Sequence, residues 1–240
     1  MNSISKIHRN LFAAAILAAF TLLAQPPATA DDAGRPIPPS TSTPRPASGS
    51  NSTLVEEYIF SAATGESVAG TPGYDDPAKL VGCEWTKPGY KTAAAALRFD
   101  GKTSIAWLPA TKTPAGPISI KIVLRPTVLG GNVLSDVGGL VIGITPKGAP
   151  SAMRHTSTTP WQYIESSATI NAGEWAEVEY QWDGATQRLF VNGQLAAEGP
   201  CDKGFASGPR ALGCNCYGPT SDHYAGDIAS LDIHTLKVAP

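Results

Sequence analysis

The chain has 240 residues, with 18 Lys and Arg against 20 Asp and Glu, a formal net charge of −2. A mildly acidic chain argues against a nucleic-acid ligand, whose phosphates call for a basic stripe. The length suits one large β-sandwich or two small domains.

Residues 1–30 have the layout of a cleavable export signal. Lys6 and Arg9 form a positive n-region, Leu11 to Leu23 is an apolar run broken only by Thr21, and Ala28-Thr29-Ala30 supplies the small-x-small cleavage pattern. The apolar run falls short of the roughly 20 residues that span a bilayer, so no membrane insertion is expected after cleavage. No Cys follows the run, which leaves no site for lipid attachment. The expected location is secreted or periplasmic. Without the signal, 16 bases remain against 20 acids, a formal −4.

Residues 31–53 are rich in Pro, Ser and Thr and hold almost nothing that a core would bury. Such a composition predicts an extended, solvated linker. Asn51-Ser52-Thr53 matches the N-glycosylation pattern.

From residue 54 to 238 the texture is one of short apolar runs separated by Gly and Pro. Leu54–Phe60, Ala96–Phe99, Thr103–Leu108, Ile118–Leu124, Leu140–Ile144 and Trp161–Glu165 read as strands. Trp175–Trp182 alternates strictly: Ala176, Val178, Tyr180 and Trp182 share one face, and Trp175, Glu177, Glu179 and Gln181 the other. Asp183-Gly184 and Asn192-Gly193 bracket Gln187–Val191 as hairpin turns. No long stretch shows helical periodicity. The fold class expected is all-β, a jelly-roll sandwich of two antiparallel sheets.

Four segments, in order, resemble the laminin-G-like, concanavalin A-like jelly-roll modules of bacterial exported proteins. Leu54–Phe60 is similar to the opening strand, and Ala96–Ile105 to the hairpin that turns at Asp100-Gly101. Glu174 to Gly184 with Arg188 to Gln194 is similar to the most characteristic stretch, and Tyr224–Ile233 to the closing strand. The resemblance implies a fold shared by lectins, adhesion modules, lyases and glycosidases, so the site has to decide the function. The closing strand of that family carries acidic residues just after the Ile. Here Ala229-Ser230 stand in those places, which removes the acids from any calcium support there.

The candidate chemistry is sparse. Glu177 and Glu179 are the best carboxylate pair for glycoside cleavage, about 6.5–7 Å apart by strand rise, but the Glu-x-Asp-x-Glu pattern of jelly-roll glucanases lacks its central Asp. A solvated strand face is the plainer reading of both. No Gly-x-Ser-x-Gly or phosphate loop is present. His234 lies on a strand, whereas His155 and His223 are placed in loops.

For ligand binding the candidates are Trp85, Trp161, Tyr163 and Tyr217, with Asp222 and His223 as a polar cluster; Tyr90 is a further loop aromatic. Aromatic faces stack on the C–H surfaces of sugars while polar neighbours fix orientation. Trp107 and Trp182 read as core. Calcium is the one cofactor considered, on hard oxygen ligands from Asp75, Asp76 and Asp136, with Asp222 as a further donor.

Cys83, Cys201, Cys214 and Cys216 are an even set in an exported chain. Cys214 and Cys216 point the same way on an expected strand, so the pairing favoured is Cys201 with one of them and Cys83 with the other. Zinc is disfavoured by spacing. The leading expectation is a non-catalytic recognition module for a glycan or an extracellular protein partner. A carbohydrate-active enzyme and a purely structural envelope protein are the alternatives.

Overall fold

The computed structural model describes residues 52–61, 65, 67–70, 77–91, 93–109, 116–156, 159–204, 208–216 and 222–237. The expected signal, most of the expected linker, Asp75, Asp76 and Tyr217 lie outside the described residues. Among those described no helix occurs, and none is long and apolar enough to cross a membrane.

In chain order the strands are β1 Ser52–Ile59, β2 Ser67–Val68, β3 Ala78–Val81, β4 Glu84–Thr86, β5 Ala96–Asp100, β6 Ile105–Leu108, β7 Ile118–Pro126 and β8 Asn132–Asp136. They continue with β9 Leu140–Ile144, β10 Pro150–Thr156, β11 Thr159–Glu165, β12 Ala176–Trp182, β13 Thr186–Val191, β14 Gln194–Pro200, β15 Arg210–Leu212 and β16 Ala225–Leu236. Because β1 begins at Ser52, the strand takes in the last two residues assigned to the linker.

Among the described residues all pairings between these strands are antiparallel and form two sheets. The first runs β14-β13-β12-β7-β16-β5-β4, with β1 also on β16; the second runs β11-β10-β9-β8-β15-β6-β3-β2. This is the jelly-roll sandwich that the strand pattern predicts.

The core follows from alternation. On β7, Ile118, Ile120, Ile122 and Leu124 turn inward; on β12, Ala176, Val178, Tyr180 and Trp182 do the same, in direct register with them. Leu134, Ile142, Ala152 and Leu212 face them from the second sheet. The three turns read from Gly dipeptides all form. Asn192 and Gly193 both have positive φ, 51° and 79°, the combination that a tight hairpin requires. Asp183 closes its turn by accepting the Ala185 and Thr186 amides.

One part of the interior is polar. Glu56 of β1 accepts from Arg210 of β15 at 2.9 Å, both fully buried, so the pair joins the two sheets. Arg210 stands opposite Asp136 in the strand register. Asp136 in turn lies 3.7 Å from buried Arg154. Two acids and two arginines therefore balance inside the sandwich. A buried pair is weak evidence for stability, yet stripping one partner leaves a charge without compensation. Arg210→Met is accordingly expected to cost about 3–5 kcal/mol, measured as loss of melting temperature. The double variant Glu56→Leu/Arg210→Met should recover most of that loss, and a double variant no more stable than the single one would refute the pairing.

Candidate functional site

On the edge strand β11, Ile164 turns into the core, so Trp161, Tyr163 and Glu165 turn out to solvent. Trp161 and Tyr163 are 50% and 51% exposed, among the most exposed large side chains of the protein. Both are held in place. The His155 ring from β10 packs on Trp161 with centroids 4.2 Å apart, and the Tyr163 hydroxyl donates to Glu165 Oε2 at 2.6 Å. Burial and that carboxylate push the Tyr163 hydroxyl pKa upward, so it stays a donor at neutral pH. The result is a ready aromatic platform with polar groups beside it. His155, expected in a loop, sits on β10 because its strand pairs with both β9 and β11.

Asp222 and His223 lie elsewhere, beside an open cleft of about 370 Å³ bounded also by Asp100, Lys102 and Gly131. The cleft is fixed by backbone. Asn132 donates its amide to the Asp222 carbonyl at 2.7 Å, and Asp222 takes φ 55°. Gly131, at φ 94°, passes so close to the His223 carbonyl that a Cβ would collide with it. Asp100 spends its carboxylate on its own turn, accepting the Lys102, Thr103 and Ser104 amides and the Thr103 hydroxyl. Partial burial raises its pKa, but the Thr103, Ser104 and Lys102 amides outweigh that and hold it well below the usual carboxylate range.

The other expected ligands scatter. Trp85 is half-buried against the core and donates Nε1 to the Gly65 carbonyl at 3.2 Å, a packing role. Asp136 is not the rim oxygen donor expected of a calcium ligand: it is fully buried, accepts the Leu140 amide at 2.8 Å and faces Arg154. Among the described residues no group of three or more His, Cys, Asp or Glu is placed to share a metal.

The cysteine pairing is corrected as well: all four are free thiols. Cys201 packs in the core between the sheets, whereas Cys214 and Cys216 join Ile105, Trp107 and Ala211 in a separate cluster. The chain around Cys214 is not a strand, because β15 ends at Leu212. Burial pushes the Cys83 thiol up to about 12 and, with Cys216 nearby, the Cys214 thiol up to about 11, so both remain protonated at neutral pH.

The outer face of the first sheet is the opposite of the platform. In one row across it stand Glu57, Asp232, Lys121 and Glu179, with Glu177 3.8 Å from Lys121. The solvated-face expectation fails for Glu179, which is only 2% exposed and accepts from Ser119 Oγ and Gln181 Nε2, each at 2.7 Å. Partial burial, reinforced by Glu57, pushes Asp232 up to about 6. Burial and Lys121 hold the neighbouring His234 below its ordinary value. Farther along, Arg98, Asp227 and Arg125 line up beside Tyr90 and Trp175. None of these except Glu177, Glu179 and Tyr90 stood among the candidate site residues read from the sequence, although polar residues at three of the four outward places in β7 (Ser119, Lys121 and Arg125, with Val123 the exception) mark an outward face.

Solved structures share this architecture. Domain 4 of AbnA, a GH43 extracellular arabinanase from Geobacillus stearothermophilus solved in complex with arabinotriose, matches with a TM-score of 0.63 at 18% identity, over 79% of this chain and 96% of that one. The binding domain of Paraclostridial Mosquitocidal Protein 1 matches with a TM-score of 0.62 at 12% identity, over 78% of this chain and 49% of that one. That of botulinum neurotoxin serotype G gives 0.59 at 10%, over 78% and 49%. Identities this low show the fold alone. No curated protein sequence matches the chain. The family model of the laminin G-like division of the concanavalin A-like lectin/glucanases superfamily spans residues 89–238, more than half of the sequence, and the chain belongs to that family.

Proposed function

We propose that this is an exported recognition module that binds carbohydrate on the Trp161–Tyr163 platform. The observation that carries the reading is the pair of half-exposed rings on alternate outward positions of an edge strand. Strand geometry sets such side chains roughly 6.5–7 Å apart, a spacing that lets one extended chain of sugars lie across both. His155 and Glu165 fix the rings before any ligand arrives, which lowers the ordering cost of binding. The export signal read from residues 1–30 is consistent with a glycan met outside the cytoplasm. The arabinotriose complex of a fold neighbour lends general support.

A second reading, cleavage of carbohydrate, draws on the outer face of the first sheet. Asp232, pushed up to about 6 by partial burial and Glu57, has the protonation range of a general acid, and Glu177 stands in the adjoining row beside Lys121.

The platform reading is tested with the full chain on a neutral-glycan array, in calcium and again in chelator. Trp161→Ala and Tyr163→Ala are each expected to weaken selective binding roughly tenfold, about 1.4 kcal/mol, without lowering the melting temperature. Unchanged binding by both variants would refute it, and loss in chelator alone would move the site to the Asp222 cleft. For Asp232 the sign is set by its raised pKa. The folded state holds this proton more tightly than the unfolded chain, so ionising Asp232 costs stability between about pH 4 and 6. Asp232→Asn should therefore raise the melting temperature by a few degrees above pH 6 and leave it unchanged below pH 4. If the cleavage reading holds, the same variant abolishes release of reducing ends from polysaccharide.

A further inference from the structure

Three side chains stand abreast on the outer face of the first sheet: Arg98 on β5, Asp227 on β16 and Arg125 on β7. Asp227 is fully buried. It accepts from Arg98 Nε and Nη2 at 2.8 and 3.1 Å, and from Arg125 Nε and Nη2 at 2.9 and 2.6 Å. Both arginines present the same edge of the fork to the carboxylate. Their Nη1 ends make no hydrogen bond to a described residue, and the two side chains are 42% and 21% exposed.

The aromatic pair beside them adds a second constraint. The Arg125 guanidinium lies 4.8 Å from the centre of the Trp175 ring, and Trp175 meets Tyr90 at 5.4 Å. Together the two rings cover Ala96, Val123 and Ala229, an apolar patch on this outer face. Arg125 is thus held by its carboxylate at one edge and by an indole at its face. Both guanidiniums converge on one anion, which cannot neutralise two cations. Glu84 stands opposite Arg98 on β4, so two acids face the two arginines, and Lys91, 4.8 Å over the Tyr90 ring, adds a further cation. A formal excess of one positive charge remains in the cluster, beside two rigid planar donors.

We propose that this cluster binds the carboxylate of an acidic sugar, a uronate within a polysaccharide, through the Nη1 ends of Arg98 and Arg125 with the pyranose beside Tyr90. Guanidinium forks match carboxylates in two-point geometry, and a ring next to them suits the apolar side of a sugar. The rest of the face selects for an isolated acid among neutral sugars. Glu57, Asp232, Glu177 and Glu179 occupy the neighbouring rows, where a second charged unit would meet like charge while the hydroxyls of a neutral one would find acceptors. The proposal extends the carbohydrate reading to a second face and does not require the Trp161–Tyr163 platform.

The test uses the full chain with three probes: an aldobiouronic acid (one uronate on one neutral sugar), its methyl ester and inorganic phosphate. Selective binding of the free acid is expected, weakened at least tenfold by esterification, by Arg98→Gln and by raising salt from 50 to 500 mM. Arg98→Lys, which keeps the charge without the fork, should recover only part of the affinity; it also serves as the readout if Arg98→Gln fails to fold by melting temperature. Equal binding of acid and ester, or full affinity in both Arg98 variants, overturns the proposal. Uronate binding lost in Trp161→Ala but kept in Arg98→Gln assigns it to the platform and overturns it too. Phosphate competing as well as the uronate would reduce the cluster to a general anion site.

Discussion

Along β16 the backbone hydrogen-bonds β7 on one side and, in succession, β5 and then β1 on the other. Three strands far apart in sequence are thereby aligned on a single one. A slip of one residue in any of these pairings would send Ile228, Leu231 and Ile233 to solvent and Asp227, Asp232 and His234 into the core, because side chains alternate with a period of two. The irregularity between Ile228 and Ser230 shows how the phase is kept: two successive residues, Ala229 and Ser230, stay off the core side, and Leu231 returns to it. Everything on the outer face of the first sheet inherits its position from that alignment.

The two faces that result handle charge in different ways. Inside, Glu56, Arg210, Asp136 and Arg154 are paired within the sandwich, where an uncompensated ion would be expensive. Outside, Asp227 is buried by the very arginines it binds, so a carboxylate on a surface strand behaves as an interior one. The difference lies in what remains available. Arg210 faces Glu56 with both side chains closed off from water, while Arg98 and Arg125 keep part of each guanidinium at the surface.

How much of this was legible in the sequence depended on which groups point inward. β7, β9 and β12 were readable because their inward positions are all apolar. β8 and β10 were hidden for the opposite reason: Asp136 and Arg154 occupy inward positions, so the apolar alternation breaks where the interior network begins. β14 shows no buried position at all and gives no pattern to read. Trp161 and Tyr163 could be found, since two aromatics at alternate places on one strand are a local signal. Arg98, Arg125 and Asp227 could not be found as a group, because the contacts that join them span 129 and 102 residues and exist only once the register of β16 is set.

That distinction bears on how the two faces would recognise a ligand. The platform on β11 is built from neighbours in sequence and in adjoining strands of one hairpin, and its edge position leaves both rings open on one side. The arginine pair is built from three strands and is rigid for that reason: moving either guanidinium means breaking two hydrogen bonds to a buried carboxylate. Rigidity of this kind favours discrimination over raw affinity, since an uncharged or misplaced group leaves the donors unpaired. On the two readings proposed above, an open aromatic edge and a fixed cationic pair on separate sheets would sort glycans by shape on one side and by charge on the other. The two contributions would be separable, because the sheets are joined through the core and not through either outer surface.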